Sequence, residues 1–213
     1  MALLRSATGI IAVLTVVAFL LVSAFQREAT AFVLGGFIPA RVGGLFPLPA
    51  AVPMPLTPLS ATLLHAGFAH LAFNLLLLVL CGLRLEAVIG PARLVGLYIV
   101  GAYAAAAAQW LMDPVAAVPM VGASGAVSAL IGAFAMRFGR VKPFTRSPAL
   151  DRLLNVIWLL AAWIVLQLML DFMGVMGGTL IATAAHVGGF IAGIGMFGIL
   201  ARGHRPTNQW DRP

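Results

Sequence analysis

Apolar residues fall in long, nearly unbroken blocks along this chain, separated by short segments that carry the charges, prolines and most polar groups. A spanning helix needs roughly 20 mostly apolar residues. The block pattern predicts six of them, over about 8–25, 60–81, 93–112, 122–138, 153–173 and 180–201. The first block follows Arg5 and ends near "VSAFQ", which would also suit a cleaved leader. Its apolar run is longer than a usual signal core, so a retained helix is expected. The segments between the blocks differ in character. The stretch 26–59 contains "GGFIPARVGGLFPLPAAVPMPLTP", too apolar for a solvated linker and too broken by proline for a spanning helix. It is expected to lie partly in the membrane interface. The stretch "RFGRVKPFTRSPALDR" is a basic connector, and the tail "RGHRPTNQWDRP" is polar.

Composition sharpens this picture. Of the 213 residues 62% are hydrophobic and 9% charged, against about 25% charged in a soluble domain. The mean hydropathy is +1.06. The chain cannot cover itself with polar surface and is expected in a bilayer. The net charge of +7 comes from basic residues scattered between apolar runs, not from a basic face interleaved with aromatics, so nucleic acid is excluded as a partner. Cationic loops favour the cytoplasmic side. With the N-terminus inside, 11 of the 13 Lys and Arg fall on the inner side and only Arg27 and Arg41 outside. The expected fold is therefore an all-α membrane protein, a compact bundle of six transmembrane helices with cytoplasmic N- and C-termini. Residues 1–201 form the membrane domain and 202–213 a polar cytoplasmic tail. His204 lies in that tail and is read as inert. Cys81 lies inside an apolar block and is read as a small core residue. The four histidines have no metal-ligand spacing, so no metal and no cofactor are expected.

Polar residues within a membrane are costly, and each is a functional candidate. In this topology the second, fourth and sixth helices all begin on the outer side. Their first halves hold His65, His70 and Asn74, then Ser124 and Ser128, then His186. His70 and Asn74 are four apart and share a helix face, while His65 falls on a different face near the helix start. Ser124 stands in "VGASGAV" with only small neighbours. Gly189 and Gly193, after His186, form a small-xxx-small pattern that lets helices approach closely. Ser128 and Gly132 extend a matching stripe from Ser124. Two such faces can bring Ser124 to His186. A serine hydroxyl needs a base to take its proton, and histidine suits that role. No acid lies on the fourth or sixth helix, so a Ser–His dyad is expected. The Ser124 N–H near a helix N-terminus, with His70 and Asn74, could meet an oxyanion.

Three motifs carry a resemblance to the rhomboid family of intramembrane serine proteases. "HAGFAHLAFN" fits H-x4-H-x3-N, "GASG" fits G-x-S-G, and "AHVGGFIAG" fits A-H-x2-G-x3-G, in the family's order and in a six-helix setting. The resemblance implies Ser124 as nucleophile, His186 as general base, and His70 and Asn74 as side-chain oxyanion donors. Gly122 and Gly125 would frame the catalytic turn, and His65 would be structural. Glu86 resembles an acidic position that supports helix packing. Two departures stand out. The first outer loop has Arg41 but no tryptophan beside it. Ser128 stands where many members carry a tyrosine stacked on the histidine. The implied reaction is hydrolysis of a peptide bond in or near a transmembrane segment of a single-span or multi-span membrane protein. The expected setting is a bacterial inner membrane with the site opening outward, and with the loop "MDPVAAVPM" dipping toward it. Two other classes are weighed. A catalytically silent relative could bind membrane helices, though the chemical groups are intact. A transporter or channel would show charge at mid-membrane or an inverted repeat, and neither is seen.

Overall fold

The computed structural model describes residues 5–139, 145–176 and 182–200. The regular structure among these residues is helical, with one isolated antiparallel bridge and no strand. In chain order the helices are α1 (Ala7–Ala24), α2 (Glu28–Gly35), α3 (Pro39–Val42), α4 (Thr57–Ser60), α5 (Phe68–Ile89), α6 (Pro91–Met112), α7 (Ser124–Phe138), α8 (Pro148–Met176) and α9 (Thr183–Leu200). Four of them, α1, α5, α6 and α9, are long and apolar enough to cross a membrane. Their outward faces carry large apolar side chains: on α1, Ile10, Leu14, Leu20 and Leu21 are each more than half exposed. A surface of this kind is stable against lipid and not against water. The protein is an integral membrane protein.

The core is layered around α7. Leu78, Leu85 and Ile89 of α5, Leu94, Leu97 and Ala102 of α6, and Ala126, Val127, Leu130 and Ala133 of α7 form one buried cluster. Between α6, α7 and α9 the packing is glycine against alanine. A Cβ on Gly101 would lie 2.5 Å from Ala129 Cβ, and one on Gly188 would overlap Ala108 Cβ. Bulk at either position would push the helices apart.

The second apolar block needs correction. It was expected over 60–81, whereas α5 runs Phe68–Ile89. Residues 61–64 are as apolar as a helix start, but Ala61–Leu63 form a 3-10 turn, and at Leu64 the chain turns extended (φ −97°, ψ 134°). His65 therefore precedes α5 and does not lie on it. The C-terminal end of α5 extends further because Glu86 does not end the helix. Its carboxylate accepts Ala7 N–H (2.8 Å), Thr8 N–H (2.9 Å) and Thr8 Oγ1–H (2.7 Å), satisfying the free donors at the start of α1. Gly90, at φ +83°, then breaks the chain before Pro91 opens α6. Replacing Glu86 by Gln would set an NH2 against one of those donors. With charged hydrogen bonds worth roughly 1.5–3 kcal/mol, Glu86→Gln should lower thermal stability in detergent by about 2 kcal/mol. An unchanged melting midpoint would show that this junction does not hold α1.

The fifth block also begins earlier than expected, at Pro148 instead of 153. Asp151, in its first turn, accepts Thr145 N–H at 2.7 Å and draws the connector into the helix start. The fourth block was expected from 122, but Gly122 and Ala123 form the turn before α7. The stretch 26–59 is folded. Phe37, Ile38 and Ala40 are buried, and Phe37 pairs with Met120 through two backbone bonds of 3.0 and 2.8 Å. Ala40 N–H donates to Ala116 O, and Gly122 N–H to Ala61 O. The first loop thus holds the loop that leads into α7. The ends of the sixth block, at 180–181 and 201, and the tail with His204 lie outside the described residues.

Candidate active site

α7 has 15 residues, about 22 Å at 1.5 Å per residue, shorter than the roughly 30 Å of a hydrocarbon core. The turn before it is held from two sides. Gly122 N–H donates to Ala61 O at 2.9 Å, and Ala123 N–H donates to His65 Nε2 at 3.4 Å. His65 is buried. It acts on the turn from outside α5 and packs its ring 5.0 Å from that of His70.

Gly122 adopts φ +119°, a conformation open to glycine and strained for other residues. A Cβ there would also meet His70 Cε1 and Nε2, each at 2.7 Å, and would lie 3.6 Å from Ser124 Oγ. The His70 ring and the Ser124 hydroxyl thus flank one glycine. Ala66 N–H donates to His70 Nδ1 over a long 3.4 Å. That assigns the His70 proton to Nε2, the nitrogen facing the turn.

Ser124 Oγ lies 2.7 Å from His186 Nε2. Ser124 is the first residue of α7 and His186 lies in the first turn of α9. The pair spans 62 positions in sequence and meets because the helices touch at glycine. A Cβ on Gly189 would overlap Gly125 O, and one on Gly193 would overlap Ala129 O. Further along, Gly132 faces Phe190 O in the same way. As the first residue of its helix, Ser124 presents an N–H with no intrahelical acceptor, at the positive end of the helix dipole. The arrangement can deprotonate an alcohol and meet a developing negative charge in one place.

The structure therefore brings together Ser124, His186, His70, Gly122 and Gly125, with Gly189 and Gly193 beneath the pair. Asn74 is buried one turn along α5, and its Nδ2 donates to His70 O at 2.8 Å. One of its two amide protons is thus turned back on its own helix. Ser128 is buried, and its hydroxyl donates to Ser124 O at 2.8 Å. Trp163 of α8 went unnoticed in the sequence. Its Nε1–H donates to His186 O at 3.3 Å, and its ring stacks on Phe190 at 4.9 Å with 8° between the planes. A tryptophan in an apolar block gives no signal of such a role.

The family model for the rhomboid domain matches residues 55–203. The chain is 32% identical to "Rhomboid-related protein 2" of Mus musculus over 137 residues, 64% of this chain and 45% of that protein. It is 31% identical to "RHOMBOID-like protein 5" of Arabidopsis thaliana over 135 residues, 63% of this chain and 40% of that protein. Over 70 residues, 33% of this chain and 17% of the relative, it is 41% identical to human "Rhomboid-related protein 3". The chain spans less than half the length of these curated relatives. The matched region holds all three motifs and well over half of the 213 residues, and the chain belongs to the rhomboid family.

Proposed function

We propose that this chain is an intramembrane serine endopeptidase that cleaves membrane-protein substrates in or near their transmembrane segments. The observation that carries the reading is the 2.7 Å contact between Ser124 Oγ and His186 Nε2, with Ser124 at the start of a helix of only 15 residues. In this reading His186 takes the hydroxyl proton as Ser124 Oγ attacks the scissile carbonyl carbon. The carbonyl oxygen becomes an oxyanion, met by the Ser124 N–H and by His70 Nε2–H. As the carbon–nitrogen bond breaks, His186 returns the proton to the leaving amine. Water then attacks the acyl-enzyme with His186 as base again and releases the carboxylate.

The same reading has six spans, cytoplasmic termini, residues 1–201 as the membrane domain and 202–213 as a tail, with the site opening outward. The cationic residues support it. With the helix bounds of the structure, Arg84 lies toward the inner end of α5, Arg93 at the start of α6, Arg137 at the end of α7 and Arg152 near the start of α8. A bacterial inner membrane rests on basic loops and compactness alone, since the relatives named above come from two mammals and a plant. Attack needs extended backbone, so substrates with helix-weakening residues near the outer interface are favoured.

A second reading keeps the fold and removes the chemistry: a silent relative that binds membrane helices. Two observations favour it, the Asn74 amide turned onto His70 O and a serine at 128 in place of an aromatic ring. Incubating the purified protein with a panel of single-span helices, beside Ser124→Ala, separates the two. Cleavage of at least one helix by the wild type alone is expected; binding without cleavage would favour the silent relative.

Asn74 has its own test. If its amide turns to the oxyanion during the reaction, Asn74→Ala should lower turnover more than substrate binding. Losing one such donor costs roughly 2.7–4 kcal/mol in a soluble serine protease, and the loss here should be smaller because His70 and the Ser124 N–H remain. Unchanged turnover with weakened binding would assign Asn74 to substrate contact.

A further inference from the structure

α9 meets two of its neighbours, α6 and α7, through glycine. Gly188 lies on Ala104 and Ala108 of α6, Gly189 on Gly125 and Gly193 on Ala129 of α7. Such faces permit close approach. The large side chains that α9 packs against the main core, Met196, Phe197 and Leu200, lie toward its other end, away from His186. The dyad needs the first turn of α9 fixed, because rotation of α9 swings the His186 imidazole past Ser124 Oγ. Ser128, one turn after Ser124, turns its hydroxyl back to Ser124 O at 2.8 Å.

We propose that Trp163 is a positioning residue for His186, fixing the first turn of α9 from the side of α8. Two contacts carry this. Its indole N–H donates to the backbone carbonyl of His186 itself, an oxygen that also faces the Phe190 N–H one helical turn on. Its ring lies flat on Phe190, the residue four positions after His186. Phe190 is buried, and its own carbonyl lies against Gly132 of α7. The turn 186–190 is therefore held between the α7 backbone on one side and the indole plane on another. A flat ring on a flat ring, with a directional N–H at one edge, resists rotation of that turn. Trp163 would touch no substrate and move no proton; it acts through His186.

The catalytic arm of the test rests on the protease reading above; the structural arm does not. With purified full-length protein, Trp163→Ala should lower kcat on a cleaved single-span helix by about ten- to a hundredfold, as small misplacements do, with KM changed less than about twofold. Trp163→Phe keeps a ring but loses the N–H, and its kcat should fall between those of the wild type and Trp163→Ala. Trp158→Ala, on the same helix but 66% exposed, should match the wild type. The second arm follows the His186 ring proton signal by NMR at fixed pH. Trp163→Ala should shift or broaden it, Trp163→Phe should shift it less, and Trp158→Ala should not move it. Trp163→Leu replaces Trp163→Ala in both arms if the alanine variant does not fold. An unmoved His186 signal in the alanine or leucine variant overturns the proposal, whatever happens to kcat. A rise in KM with kcat intact also overturns it, by making Trp163 a substrate contact. If the wild type cleaves no helix, the protease reading fails, and the ring signal alone still decides whether Trp163 positions His186.

Discussion

Ser124→Ala and His186→Ala should each abolish proteolysis while leaving the protein folded in detergent. Either change removes one side of the 2.7 Å pair, and neither half works alone. An undeprotonated hydroxyl is a poor nucleophile, and a base without a nucleophile forms no acyl-enzyme. In a soluble serine protease, loss of nucleophile or base costs roughly a millionfold in kcat, and the two losses do not add. The double variant should therefore be no worse than either single one. Both side chains are only partly buried, so neither truncation opens a core cavity and the melting midpoint should move little. A Ser124→Ala protein that cleaves at the wild-type rate would remove the dyad from the mechanism.

Gly189→Val should reduce activity far more than stability. A side chain at 189 would overlap Gly125 O and reach Ser128 Cβ at 3.3 Å, where α9 crosses the start of α7. Overpacking of this kind destabilises by about 1–3 kcal/mol. The helices relieve it by separating, and His186, three residues earlier, moves with α9. Misplacement by about 1 Å can reduce a rate roughly a hundredfold. Gly198→Val is the control, since a Cβ at 198 meets nothing within 4 Å. It should keep both activity and melting midpoint. Equal loss of activity in the two variants would mean general damage to α9, and the close approach at Gly189 would not be what holds the dyad.

Much of this was legible in the sequence because glycine spacing and helix periodicity carry packing directly. The small face of α7 was expected along Ser124, Ser128 and Gly132, opposite Gly189 and Gly193 of α9; the close contacts run instead along Gly125, Ala129 and Gly132. The pairing of Ser124 with His186 could be inferred from depth and small faces. The start of the second helix could not. Hydropathy counts Ala61–Leu64 as membrane-like, whereas the local break at Leu64 and the restart at Phe68 depend on tertiary partners such as Gly122. The reach of α5 to Ile89 was hidden for a related reason. Arg84 and Glu86 look like the end of an apolar block, yet Glu86 is matched by the N–H groups of α1, nearly 80 positions away. The folded first loop was hidden too, because its bonds to Ala116 and Met120 are backbone bonds and leave no side-chain pattern. Trp163 was invisible because an indole in an apolar helix carries no mark of the carbonyl it will meet.

The central claim is that His186 activates Ser124 as a nucleophile, and labelling with a fluorophosphonate probe tests it most directly. Purified wild-type protein should form one covalent adduct, mapped by mass spectrometry to Ser124, and both Ser124→Ala and His186→Ala should stay unlabelled under the same conditions. Wild-type protein that folds but takes up no label at Ser124, or His186→Ala protein that labels as fast as the wild type, would contradict it.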